Sequence, residues 1–137
     1  MQNKCIRYIL DLGPRFHISS KEFKLVNMLP VQDRVRQLKL NHVFKIFSNK
    51  CPEYMKEKFV KMKDPPLSLC LRSSIDNLFL PRVNKQAIHS FFFTGIKEWN
   101  SLPSKIKESK DKITFKSRTK DHIYKELENK EFSSFMF

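Results

Sequence analysis

Glycine is nearly missing from this chain, at only 2 of 137 residues. Sandwiches and barrels need many residues that accept positive φ, so this scarcity argues against both. It also rules out a glycine-rich phosphate loop. Cysteine is sparse as well. Cys5, Cys51 and Cys70 are odd in number and far apart, so they define no disulfide framework and fit a reducing compartment. No stretch approaches the ~20 apolar residues that span a bilayer. The opening MQNKCIRYILDLGPR has an apolar run too short and too charged for a secretory signal. These absences point to an intracellular chain, nuclear or cytoplasmic, without a membrane partner.

Catalytic groupings are missing too. Asp11, Asp33, Asp64, Asp76, Asp111 and Asp121 are isolated, whereas two-metal chemistry needs carboxylates held close together. Glu53 and Glu57 share a helix face but have lysines between them, the pattern of a solvated, salt-bridged surface. Cys5, Cys51, Cys70, His17, His42, His89 and His122 contain no pair at zinc-ligand spacing. No motif surrounds a Ser or Cys nucleophile. The expectation is a protein that is not an enzyme, with no catalytic residue, metal or cofactor.

What the chain has in excess is positive charge. Lys and Arg number 27 against 14 acids, a net +13, which favours polyanions. A chain of this length makes one modest domain, burying roughly two-thirds of its unfolded surface, and 13 phenylalanines supply apolar material. Helices broken at the 7 prolines suit this composition. The expected fold is mainly α: a small helical domain of about five to six helices with at most one short extended strand or hairpin.

Along the chain, NKCIRYILDLGPR predicts a short helix with Ile6, Ile9 and Leu10 inward, stopped by Gly13-Pro14. Residues 1–16 read as the end of a truncated upstream element. A second helix carries Phe23, Val26 and Leu29, with Ser19 or Ser20 as cap and Pro30 as stop. Val31 to about Asn49 is the longest candidate. Val31, Val35 and Leu38 lie on one face and Leu40, Val43, Phe44 and Phe47 on another, which predicts burial from two sides. CPEYMKEKFV predicts a short helix with Pro52 in its first turn. Residues 62–77, with Pro65-Pro66, Ser68, Ser73 and Ser74, read as an irregular loop, and NLFLPRV as a short strand with Leu78 and Leu80 on one side.

From Lys85 the pattern strengthens. Ile88, Phe91, Phe92, Gly95, Trp99 and Leu102 form one helical stripe that Pro103 ends, with Ser101 or Ser104 near the next helix start. Phe93 points off the stripe and is a candidate for partner contact. The last helix runs from about Ile113 to Asn129 on Phe115, Thr119, Ile123 and Leu127, leaving 131–137 as a frayed tail. Lys105, Lys107, Lys110, Lys112, Lys116, Arg118 and Lys120 crowd the break before it. With Arg72 and Arg82 they are the candidate nucleic-acid-binding residues, able to neutralise phosphates without reading sequence. The alternative is a solvated basic surface on a helical protein-interaction module, or a decayed open reading frame without function.

In order along the chain, SLCLRSS, LFLPRV, SFFFTGIKEWNSLPSKIK and FKSR together resemble the C-terminal region of reverse transcriptases from non-LTR (LINE-type, jockey-like) retrotransposons, downstream of the polymerase domain. Leu71 to Ser74, Leu80 to Arg82, Trp99 to Pro103 and Phe115 to Arg118 carry the likeness, with Trp99, Asn100, Ser101, Leu102, Pro103 and Phe115 as its structural motif. NKCIRYILDLGPRFHI and LPVQDRVRQLKLNHVFKIFSN look like the stretch after the polymerase thumb, so the likeness covers about Lys4 to Ile123. It implies a non-catalytic fragment of an RNA-directed DNA polymerase family, contacting RNA or DNA backbone and a missing upstream polymerase domain. The family's catalytic aspartates, endonuclease and zinc knuckle are not in this chain, and Thr119 stands where the family's final helix more typically has leucine.

Overall fold

The computed structural model describes residues 1–48, 51–61 and 77–135. Among them the chain is mainly α-helical, with seven α-helices, one 3₁₀ turn and no strand. In chain order these are α1 (Gln2–Ile9), α2 (Ser20–Leu25), α3 (Val31–Phe47), α4 (Glu53–Lys56), the 3₁₀ turn Ala87–His89, α5 (Phe91–Ser101), α6 (Ser104–Lys107) and α7 (Lys112–Phe135). Most of the expected loop at 62–77 lies outside the described residues, as do Arg72 and the Leu71–Ser74 stretch.

Where one region was expected, the chain divides into two compact units: Met1–Gln37 with Ser117–Phe137, and Leu38–Lys116. In the first, Ile6, Ile18 and Phe23 form one small core with Leu10, Leu12 and Val26 against it, and Leu29, Ile123 and Tyr124 form another. α1 ends before Gly13. Asp11 takes the left-handed conformation at φ 51°, while the Leu12 N–H donates to the Arg7 carbonyl at 2.8 Å. That closes a Schellman-type stop on an aspartate, a residue whose short polar side chain tolerates this region. Ile9, expected inward, is exposed, whereas Ile6 is buried. α2 opens with a capping box between Ser19 and Glu22 and closes the same way on Asn27, at φ 57°.

The tail is not frayed through its described part: α7 continues to Phe135. The Glu131 carboxylate accepts from the Ser20 N–H at 2.7 Å and the Ser20 hydroxyl at 2.6 Å, and Glu128 pairs with Lys24 at 2.8 Å. Glu128 and Glu131 therefore tie this stretch to α2.

The second unit holds the larger core: Leu40, Val43, Phe44, Ile46, Phe59, Leu78, Ile96, Trp99, Leu102, Ile106 and Phe115. α3 is continuous but is not buried from two sides. Val31, Val35 and Leu38 remain 61%, 45% and 44% exposed. The buried positions of α3 include the polar Gln37 and Asn41, which an apolar stripe cannot predict. Nor does NLFLPRV form a strand. A single antiparallel bridge joins Leu78 to Lys61, and Leu80 stays exposed while Leu78 is buried.

α5 begins at the Ser90 N-cap, whose hydroxyl accepts from the Phe93 N–H, so Ile88 falls in the preceding 3₁₀ turn and is exposed. Phe93 is half-buried, like Phe91 and Phe92. Gly95 lets α5 approach α3 closely: a Cβ there would meet Val43 Cγ2 at 3.2 Å. Trp99, only 4% exposed, closes the inward face of α5 beside Ile96. Leu102 caps that helix, and Pro103, just ahead of α6, supplies the fixed φ from which a new turn starts. The expected junction at WNSLP is thus present, with a one-turn helix inserted before α7.

Candidate nucleic-acid interface

Within the second unit, a cleft of about 540 Å³ opens between the end of α3, the α6–α7 connection and Lys61. Its walls are aromatic: Phe44, Phe47 and Trp99. Five lysines line it with them, Lys45, Lys61, Lys107, Lys110 and Lys112, against one acid, Asp111.

Each lysine is set by an apolar neighbour. Lys45 sits on α3 among the core residues Phe44, Ile46 and Phe47. Ile106 is the buried anchor of α6 and leaves Lys107 half-exposed, its ammonium donating to Asn77 Oδ1 at 2.8 Å. Ser109 is buried and donates to the Ile106 carbonyl at 2.7 Å, turning the chain so that Lys110 and Lys112 flank the start of α7. Phe115, fully buried, fixes that first turn against Phe44 and Trp99. The first turn of α7 contains no acidic residue. The positive end of the α7 dipole adds to the lysine charge beside the cleft, partly offset by the carboxylate of Asp111 just ahead of it.

Three of the residues expected from sequence, Lys107, Lys110 and Lys112, meet here. Lys105, Lys116 and Arg118 are exposed but do not line the cleft, and neither does the exposed Arg82. Lys120 belongs to the first unit, where its ammonium donates to the Asn27 carbonyl at 2.7 Å and so holds the end of α2. Two residues of the cleft were missed, Lys45 and Lys61. Lys45 had a signal: in FKIF a lysine sits between phenylalanines, the interleaving of charge and aromatic that strand-binding surfaces use. Lys61 had none, since only the bridge to Leu78 brings it alongside. Its ammonium lies 4.9 Å from the centre of the Phe47 ring.

Among the described residues no helix is long and apolar enough to cross a membrane, and no three His, Cys, Asp or Glu side chains gather as a metal site would require. The geometry can hold anions and offer a hydrophobic floor beneath them. No family model, curated protein or solved structure matches this chain.

Proposed function

We propose that this chain is a non-catalytic, basic helical module that binds the phosphate backbone of RNA or DNA without sequence preference. One observation carries this: five lysines from three separate stretches of sequence line one cleft. Lysines so gathered displace condensed counterions from a polyanion, whereas scattered ones mainly solvate the surface. The net charge of +13 gives the same sign at long range. We assign its origin to the C-terminal region of a non-LTR retrotransposon reverse transcriptase, on the order of the four sequence stretches. On that assignment its protein partner is the upstream polymerase domain, and its place is the nucleus or cytoplasm.

Titration of the chain with RNA at several salt concentrations tests the function. The logarithm of affinity should fall linearly with the logarithm of salt, and Lys110→Gln should reduce the slope by about one unit. A flat plot, or no binding at low salt, overturns it. A second reading, a helical protein-interaction module, is favoured by the exposed Val31 and Val35 on α3. Under it, replacing Lys105, Lys107, Lys110 and Lys112 by Gln leaves partner binding intact.

A further inference from the structure

We propose that the cleft takes one unpaired nucleotide of a strand, with its base on the Phe47 ring and the flanking phosphates on the surrounding lysines, so that single strands bind in preference to duplex. This rests on the backbone-binding reading and adds what enters the cleft itself.

The aromatic side chains here form a continuous series. Phe44 and Phe115 stack with ring centres 4.4 Å apart at 15°, Phe115 and Trp99 follow at 5.8 Å and 25°, and Phe47 closes the series 5.3 Å from Trp99. The first three are buried and Phe47 is half-exposed. Phe47 is therefore the ring that this stack presents to an entering group. Its contact with the buried Trp99, tilted at 43°, sets the ring against the core.

That ring already has a partner of suggestive chemistry, the Lys61 ammonium. A cation over a π face is a modest attraction at a wet site. The lysine stem is flexible, and a phosphate offers its ammonium a full opposite charge. An arriving nucleotide supplies both halves of the exchange: the base replaces the cation on the ring, and the phosphate receives it.

Size and polarity narrow the occupant. The volume of about 540 Å³ lies within the range of small-molecule pockets, roughly 300–1,000 Å³. A duplex can lay phosphates along the lysines, but it fills the cleft only by extruding a base from its stack, which is unfavourable. The two hydroxyls of the lining, on Ser48 and Ser109, donate to the carbonyls of Phe44 and Ile106 at 3.0 and 2.7 Å. With both hydroxyls engaged within the chain and the lysine ammoniums drawn to the flanking phosphates, the site offers a base chiefly a π face, and so tolerates any sequence.

The test compares three strands of equal length on the full chain: a single-stranded oligonucleotide, an abasic oligonucleotide with the same phosphates, and a duplex. Trp99 is the sole tryptophan and lines the same cleft, so its fluorescence reports occupancy. The base-bearing strand should bind at least about fivefold tighter than the abasic one and quench Trp99, while the two share one salt slope. Phe47→Ala should remove that advantage, Phe47→Leu should reduce it with the helical fold retained by circular dichroism, and Lys61→Gln should lower the salt slope while keeping it. Equal binding of the base-bearing and abasic strands with a steep salt slope overturns the base platform and leaves backbone binding standing. Equal binding of duplex and single strand overturns it likewise. Absence of salt-dependent binding to any of the three overturns backbone binding itself.

Discussion

Asn100 grips the backbone of Leu78 at both of its polar groups. The Leu78 N–H donates to Asn100 Oδ1 at 2.8 Å, and Asn100 Nδ2 donates to the Leu78 carbonyl at 2.9 Å. One side chain thus satisfies both main-chain groups of Leu78 and ties it to α5, beside its bridge to Lys61. Asn100→Ala should cost about 1–3 kcal/mol, because two main-chain groups lose their partner together. It should also speed hydrogen exchange at the Leu78 amide. Unchanged exchange there would show that the clasp contributes nothing.

Trp99 packs on Phe115 and Phe47 and is almost fully buried. Trp99→Ala should therefore lower stability by roughly 3–5 kcal/mol in urea denaturation. Wild-type melting would mean that the indole is exposed in solution.

Thr119 is fully buried, and its hydroxyl finds no hydrogen-bond partner among the described residues. Valine has nearly the same shape without the polar atom. Thr119→Val should stabilise the chain by about 1 kcal/mol, seen as a melting temperature roughly 3–4 °C higher. A drop would reveal a partner for the hydroxyl in solution.

Stability should also fall in mild acid. Burial works against the charged form of Glu126, but the hydrogen bond and charge of Arg36, with His122 and Lys130, outweigh it and hold this carboxyl below its ordinary 4.5. A lowered folded value means that the contribution is complete above the ordinary value and is lost as pH falls through the folded one. Glu22 is lowered as well, by its hydrogen bonds to the Ser19 side chain and backbone. Urea midpoints measured from pH 6 down to pH 3 should decline, and Arg36→Met should flatten the Glu126 part of that decline. An identical slope in the variant would separate Glu126 from Arg36.

Helix content, the Trp99–Pro103 junction and the buried face of α7 were legible because each rests on local chemistry: a 3.6-residue stripe, a proline, a cap. The two-unit division was not, since it depends on which parts of α3 and α7 pack with which, and the sequence of one helix does not record that. The exposed face of α3 misled because burial there selects Gln37 and Asn41 over nearby valines, a decision made by neighbours distant in sequence. The cleft was half legible. Lys107, Lys110 and Lys112 form a visible run, but Lys61 enters through one β-bridge that no periodicity announces. The continuation of α7 past Asn129 was not legible because what holds it there, the bond from Ser20 to Glu131, joins residues 111 positions apart.

The close approach at Gly95 reaches further than its own turn. The missing side chain sets how deeply α5 seats on α3, and α5 also carries Trp99 into the cleft and Asn100 to Leu78. A single methyl added at position 95 would crowd Val43 Cγ2 at 3.2 Å, so that Val43 or α5 must give by a few tenths of an ångström. Any share that α5 takes moves the mouth of the cleft and the clasp on Leu78 together, although neither touches the altered residue.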